Sequence, residues 1–148
     1  MERTLADEGY HSVNPFVFID GAEDLIAFLS ATFGGIETER LARSDGGIGH
    51  AEVRIGDSVV MVSDSTESFP PRPCAHYVFV DNVDAVYERA VAAGASSLRE
   101  PTDQFYGNRE AGVVDPWGNL WWIATVIEAV ADAEIQRRWQ AAQGLAPS

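Results

Sequence analysis

Two apolar patterns alternate along the chain and predict a mixture of strands and helices. Residues 14–20 and 75–80 are short runs rich in β-branched and aromatic residues, which is typical of strands. Each run precedes a segment with apolar residues at helical spacing, 22–33 and 83–93, and glycine follows both segments, as at many helix ends. Four-residue spacing of apolar positions predicts a last helix over 127–142.

Residues 50–55 and 58–63 flank Gly56-Asp57, two turn-forming residues that predict a tight β-hairpin. With a two-residue turn, Glu52 pairs with Met61. Because side chains alternate along a strand, His50, Glu52 and Met61 are expected on one face of the sheet. The remaining predicted strands are residues 37–43, 97–99, 112–114 and 120–125.

The chain repeats itself at an offset of 61 positions. Val17-Phe18-Ile19-Asp20 is echoed by Val78-Phe79-Val80-Asp81, and residues 59–62 fall on residues 120–123. A period of this length exceeds that of solenoid repeats and indicates a duplicated half-domain. We therefore predict a single domain over 1–148, with module one at 10–69, a proline-rich linker at 70–73, module two at 74–126 and the C-terminal helix at 127–142.

Several local motifs resemble a known family. Tyr106-Gly107-Asn108-Arg109, Asp115-Pro116-Trp117-Gly118-Asn119, Trp121-Trp122-Ile123-Ala124-Thr125, His50-Ala51-Glu52-Val53 and Ile55-Gly56-Asp57-Ser58 are similar to the vicinal oxygen chelate superfamily, in its PhnB-like branch. That superfamily contains glyoxalase I, extradiol dioxygenases and bleomycin-binding proteins. The resemblance implies an α+β fold. Two tandem βαβββ modules would form a curved, barrel-like mixed sheet, with helices outside and an added C-terminal helix. It also implies a small-molecule pocket and a homodimer.

The resemblance further implies where a metal would be bound. In metal-dependent relatives the ligands stand at the start of the first strand and on the last strand of each module. Here those positions fall on Asn14, Met61, Ala75 and Trp122. A hard divalent cation prefers carboxylate or imidazole ligands, which none of the four provides. We therefore expect no metal at this place and no cofactor.

Residues expected to face the pocket come from the strands and from one loop. The predicted ligand-binding residues are Phe16, His50, Glu52, Met61, Tyr77, Tyr106, Arg109 and Trp122. Residues 104–109 are predicted to form a loop in which Tyr106 offers a ring and a hydroxyl, and Arg109 a guanidinium suited to anions. For each polar residue a purely structural role is the alternative: a hydrogen bond between His50 and Glu52 with Arg54 as a third partner, or an exposed strand face; a packed Tyr106; and an Arg109 paired with an acid.

Charge and composition narrow the class of partner. The chain has 148 residues, a formal net charge of −13, 46% hydrophobic and 22% charged residues. Such acidity argues against a nucleic-acid partner, since phosphates require a basic surface. No apolar run is long enough to span a membrane, and the start lacks the order of a signal peptide, so a cytoplasmic location is expected.

Three functions remain open at this point. The first is metal-independent binding of a small aromatic or amphipathic metabolite or antibiotic. The second is an enzyme, a lyase, isomerase or ring-modifying activity, in which His50 or Glu52 acts as the catalytic acid or base. The third is a metal-dependent glyoxalase- or dioxygenase-like enzyme, which the four substituted positions disfavour. Whether the chain is an enzyme is left undecided.

Overall fold

The computed structural model describes residues 8–144, in which three helices and eight strands follow one another in a repeated order. The elements are β1 (Phe16–Ile19), α1 (Ala22–Phe33), β2 (Ile36–Ala42), β3 (Ile48–Ile55), β4 (Ser58–Asp64), β5 (Ala75–Phe79), α2 (Val83–Ala92), β6 (Ser96–Asp103), β7 (Asn108–Val114), β8 (Leu120–Val126) and α3 (Asp132–Ala142). The α+β class, the two βαβββ modules and the C-terminal helix are therefore confirmed.

The strands form two separate four-stranded sheets, ordered β1-β4-β3-β2 and β5-β8-β7-β6. In each sheet the first strand runs parallel to the last strand of its module, and the other pairs are antiparallel. The sheets do not join into the predicted barrel-like sheet. One edge of β1 is instead contacted by the linker, where the Arg72 N–H donates to the Phe18 carbonyl at 2.9 Å.

The ladders confirm the internal repeat. Phe16 lies opposite Met61 in module one, and Tyr77 lies opposite Trp122 in module two, which is the offset of 61 seen in the sequence. The two-residue turn also has the predicted register, with Glu52 opposite Met61. Strand geometry thus fixes which side chains share a face in each module.

The core lies on the helix-covered faces of the sheets. Helix α1 packs on β3 and β4, α2 packs on β6, β7 and β8, and the two helices contact each other. Buried side chains from both modules form one apolar cluster that includes Val17, Leu29, Val62, Trp121 and Ile123. The aromatic pairs Phe28–Trp117 and Phe33–Trp121, with ring centroids 6.1 and 5.2 Å apart, connect α1 to the second module. In the part of the chain that the structure describes, the helices therefore cover one face of each sheet and leave the other face without helical cover.

A carboxylate on β4 anchors the start of α1. Asp64 accepts hydrogen bonds from the backbone N–H groups of Gly21, Ala22 and Ile48 at 3.1, 2.9 and 2.7 Å. Burial acts to raise the pKa of Asp64, but these three donors outweigh it and lower the pKa below its ordinary value. The negative charge also lies at the positive end of the helix dipole, where it is stabilising.

Several boundaries differ from the sequence-based expectation, among them the end of β6 at Asp103, and two of the differences involve the predicted site residues or the last helix. Strand β7 begins at Asn108, well before the predicted 112, so Arg109 belongs to a strand and not to a loop. Helix α3 begins at Asp132, five residues after the predicted start, because the N–H groups of Ile127 and Glu128 donate to the Gly107 carbonyl. Gly107 has a φ of +99°, and a Cβ there would lie 2.2 Å from the Glu128 carbonyl oxygen, so this contact requires glycine.

Within residues 8–144, the longest helix has 12 residues, and none combines the length and apolarity that crossing a membrane would require.

Candidate functional site

The face of each sheet opposite the helices carries the candidate functional residues. On β1, Val17 and Ile19 point into the core, so Phe16 and Phe18 lie on the opposite face. On β8, Trp121 and Ile123 are buried, so Trp122 lies opposite. We call these surfaces the open face of module one and the open face of module two.

The open face of module one brings together four of the predicted residues: Phe16, His50, Glu52 and Met61. The Nε2 atom of His50 lies 3.1 Å from Oε1 of Glu52, and the His50 ring lies 5.5 Å from the Phe16 ring. Glu52 is only 6% exposed although it is a carboxylate. The predicted hydrogen bond between His50 and Glu52 is therefore present, and it leaves Oε2 of Glu52 for another donor.

That donor is Tyr10, which the sequence analysis did not select. Its hydroxyl donates to Oε2 of Glu52 from the segment preceding β1. The hydrogen bond to Glu52, burial and the nearby negative charges raise the pKa of Tyr10 to about 12. Glu52 thus has one partner from its own strand and one from a segment distant in sequence.

The open face of module two brings together Tyr77, Tyr106 and Trp122 around an unpredicted carboxylate, Glu110. The hydroxyls of Tyr77 and Tyr106 donate to Oε2 of Glu110 at 2.5 and 2.6 Å. Glu110 is 4% exposed, which makes it as deeply buried as Glu52. Burial first, and then the hydrogen bond to Glu110, raise the pKa of both tyrosines.

Two more polar side chains complete this network. Arg99 on β6 approaches Oε1 of Glu110 at 3.4 Å, and its guanidinium lies 5.2 Å from the centre of the Trp122 ring. The Asn108 amide donates to the Tyr77 hydroxyl at 3.0 Å.

Glu110 and Asn108 were missed because β7 begins earlier than the sequence pattern indicated, and Arg99 was not selected although it lies within a predicted strand. The sequence offset of 61 gave no signal for Glu110, because that offset places Ala111 on His50. The ladders place Glu110, two residues before Gly112, where His50 lies two residues before Glu52.

Arg109 lies on the opposite face of β7 from Glu110. Its guanidinium forms ion pairs with Asp84 on α2 at 2.8 Å and with Asp103 on β6 at 2.9 Å. Neighbouring strand residues alternate in direction, so including residue 109 in β7 turns its side chain toward the helix. Arg109 is therefore not brought together with the other predicted residues.

A cavity of about 860 Å³ opens between the modules. Its walls come from the segment before β1, the tip of the β3–β4 hairpin, β5 and α2, and they include Asn14, Ala75, Tyr77 and Phe79. Tyr77 thus belongs both to this cavity and to the network around Glu110. The volume falls within the range of pockets that bind small organic molecules.

His76 also lines the cavity, and its environment is unusual. Its ring stacks on the Trp121 indole with centroids 4.2 Å apart, and within the described residues both ring nitrogens are buried without a hydrogen-bond partner. Burial lowers the pKa of His76, although Asp115 partly offsets this effect. The neutral ring therefore acts as part of the apolar wall.

The four positions that the family resemblance assigns to a metal carry side chains that do not suit a hard cation. The Asn14 side chain is already hydrogen-bonded to the backbone N–H and carbonyl of His11, at 2.9 and 2.7 Å. Met61, Ala75 and Trp122 provide a thioether, a methyl group and an indole, none of which suits a hard cation. The donor set therefore disagrees with the metal chemistry of those relatives.

Comparison with known proteins gives consistent results. A family model described as the Glyoxalase/Bleomycin resistance protein/Dioxygenase superfamily matches residues 11–123. An uncharacterized protein, Rv0887c, from Mycobacterium tuberculosis strain H37Rv is 31% identical over 144 residues, covering 90% of this chain and 85% of that protein.

Solved structures share the fold. TioX from Micromonospora sp. ML1 has a TM-score of 0.63 at 25% identity, covering 78% of this chain and 100% of TioX. TnmS3 from Streptomyces sp. CB03234, described as an antibiotic binding protein, has a TM-score of 0.59 at 21% identity, covering 78% of this chain and 97% of TnmS3.

Proposed function

The chain belongs to the glyoxalase/bleomycin resistance protein/dioxygenase superfamily, and we propose that it binds a small aromatic or amphipathic molecule without a metal at the four family positions. The observation that carries this proposal is the ring-lined open face of module two, which surrounds a buried carboxylate and adjoins the cavity between the modules.

Exposed aromatic surface supports an aromatic guest. Tyr77 is 45% exposed and Phe79 65% exposed, and their rings lie 5.2 Å apart beside Trp122. Rings left in water on a sheet face gain free energy when a flat apolar molecule covers them, by area burial and by ring stacking. The four family positions carry no carboxylate or imidazole. The surface around them is therefore more apolar than it would be with a set of metal ligands.

Polar groups at the edge of this surface would orient the guest. The tyrosine hydroxyls, the Asn108 amide and the Arg99 guanidinium converge on Glu110 from different strands. A pocket that is mostly apolar with a few fixed polar groups is the usual form of a small-molecule site. The description of TnmS3 as an antibiotic binding protein supports the same class of ligand for this chain.

Calorimetry against a panel of aromatic antibiotics and metabolites tests the proposal. We expect saturable binding by at least one of them, with the same affinity in the presence of a chelator. Tyr77→Ala should weaken binding at least tenfold, since it removes a ring that the cavity and the open face share. Tyr87→Phe, which removes a hydroxyl bonded to Ser97, is the control and should bind as the unmodified chain does. No binding across the panel, or binding that Tyr77→Ala leaves unchanged, would contradict the proposal.

A second candidate rests on the hydrogen bond between His50 and Glu52. A carboxylate held 3.1 Å from an imidazole can orient that ring for proton transfer, so an enzyme of the lyase, isomerase or ring-modifying type, with His50 or Glu52 as the catalytic acid or base, is the alternative. Turnover of a bound panel compound that disappears in folded His50→Ala and Glu52→Ala variants would favour it over simple binding.

We also propose membership of the PhnB-like branch, on the sequence motifs that resemble it.

We propose in addition a homodimer. Large apolar side chains are exposed on β2, β6 and the end of β8, including Leu41, Leu98 and Val126. Exposed apolar surface of this kind commonly marks an interface between subunits. Analytical ultracentrifugation should give twice the mass of one chain, and a monomer at micromolar concentration would contradict the dimer.

A further inference from the structure

Three metal-ligating side chains meet on the open face of module one, and none of them is one of the four family positions, although Met61 lies opposite Glu52 on the same face. The donor atoms of Glu39, His50 and Glu52 all lie within 4.8 Å of one another. We propose that these three residues bind a divalent transition-metal cation of the Zn²⁺ class. This site is separate from the proposed guest surface on module two.

Strand pairing holds the three donors in place. Glu39 on β2 lies directly opposite Glu52 on β3, and His50 is two residues before Glu52 on the same face. A shift in register between Glu37 and Glu39 allows Glu39 to take this position. Because all three residues lie on paired strands, little reorganisation is needed to bring them onto one ion.

The spacing suits a small cation. Ligands at about 2.05 Å from a tetrahedral Zn²⁺ are separated by roughly 3.3 Å. The observed separation between His50 Nε2 and Glu52 Oε1 is 3.1 Å. Two carboxylates and one imidazole would leave a fourth position for water. The imidazole nitrogen favours a transition metal over Ca²⁺ or Mg²⁺, which prefer an all-oxygen set.

The charge balance of this face also calls for a cation. Within residues 8–144, neither Glu39 nor Glu52 forms an ion pair with an arginine, whereas Glu110 on module two has Arg99. Burying one carboxylate beside a second without a compensating cation is costly. A divalent ion provides that compensation.

Tyr10 would support the metal without touching it. Its hydroxyl holds Oε2 of Glu52, so Oε1 remains directed toward His50. Outer hydrogen bonds of this kind orient the ligands of a metal and commonly change its affinity tenfold or more. The site therefore has an orienting residue as well as three ligands.

Titration of chelator-treated full-length chain with Co²⁺ and Zn²⁺ tests the proposal. We expect one ion per chain, with a visible Co²⁺ absorption band typical of a four- or five-coordinate site and with heat of Zn²⁺ binding measured by calorimetry. His50→Ala and Glu39→Gln should each weaken binding at least tenfold. Glu39 is exposed, so the second variant tests the ligand without disturbing the core.

Matched controls separate this site from unspecific binding. His11→Asn removes another exposed histidine, and Glu110→Gln removes the buried carboxylate of module two; both should bind Co²⁺ as the unmodified chain does. Absence of saturable binding would overturn the proposal. So would His50→Ala and Glu39→Gln variants that bind Co²⁺ as tightly as the unmodified chain does. A loss in His11→Asn equal to that in His50→Ala would overturn it as well.

Discussion

Glu52 and Glu110 are buried carboxylates on the open faces of the two modules, and different partners surround them. Glu52 interacts with Tyr10 and His50, neither of which carries a permanent charge. Glu110 accepts two tyrosine hydroxyls and lies beside Arg99. Both modules therefore supply partners for their own carboxylate, but only module two includes a permanently charged cation among the described residues.

The two faces also differ at the centre of the sheet. Glu52 faces Met61 across the β3–β4 ladder, and the corresponding residue in module two is Gly112, which faces Trp122. A Cβ on Gly112 would lie 2.6 Å from the Trp122 ring, so the glycine makes room for the indole. The two modules thus share the strand framework, but at this position module one carries a carboxylate and module two leaves room for an indole.

Truncating the two carboxylates should give the largest contrast. Glu110→Ala leaves two part-buried hydroxyls without their acceptor and Arg99 without its partner, and we expect a loss of about 3–5 kcal/mol in the free energy of unfolding. Glu52→Ala removes the acceptor of Tyr10 and His50 only, and about 1–3 kcal/mol is expected. Urea denaturation in buffer containing a chelator measures both.

The glutamine variants serve as controls for that comparison. Glu110→Gln and Glu52→Gln keep an acceptor oxygen and should each cost less than the alanine change at the same position. If Glu52→Ala proved as costly as Glu110→Ala, the difference assigned to the two networks would be wrong.

Adding a methyl group at Gly112 tests the space under Trp122. Gly112→Ala should displace the indole and lower the free energy of unfolding by about 1–3 kcal/mol through overpacking. The double variant Gly112→Ala with Trp122→Leu should recover part of that loss, because the smaller side chain accepts the methyl group. If the losses in the free energy of unfolding of the two single variants simply added in the double variant, the contact between residue 112 and Trp122 would not be their cause.

The strand framework could be predicted from the sequence more completely than the site. The turn Gly56-Asp57 and the offset of 61 were sufficient to place His50, Glu52 and Met61 on one face, because strand alternation follows from local geometry. Tyr106 and Trp122 lie on the same open face as Tyr77, and their role in binding stays a prediction. Local periodicity was therefore sufficient to predict most of the strand framework.

Partners that come from distant segments could not be predicted in the same way. Tyr10 reaches Glu52 from before the first strand, and Arg99 reaches Glu110 across an irregular ladder. The polar start of β7 resembles a loop in sequence, so Arg109 was expected over the pocket although it faces Asp84. These contacts depend on three-dimensional pairing, for which a single sequence has no periodic signal.

Replacing Arg99 of module two should lower the free energy of unfolding less than replacing Glu110 does. The Arg99 side chain is 45% exposed, so Arg99→Met should change the free energy of unfolding by no more than about 1 kcal/mol. The methionine stem can still cover Trp122, which keeps the packing similar. A loss near that of Glu110→Ala would mean that the ion pair, and not the tyrosine hydroxyls, stabilises the buried carboxylate.

Ionisation of the tyrosines on the two open faces should change the free energy of unfolding only at high pH. The pKa of Tyr10 is raised from 10.0 to about 12 by its bond to Glu52. The folded chain therefore keeps this proton longer than the unfolded chain does, and the associated stability is complete below pH 10 and is lost as the pH rises toward 12. Tyr10→Phe should flatten this part of the stability profile, measured by urea denaturation at several pH values.

Tyr77 and Tyr106 also have raised pKa values, so Tyr10→Phe should leave their late ionisation in the ultraviolet absorbance unchanged. An unchanged profile in Tyr10→Phe would show that the phenol does not hold Glu52 in the folded chain, and module one would then lack the second of its two partners.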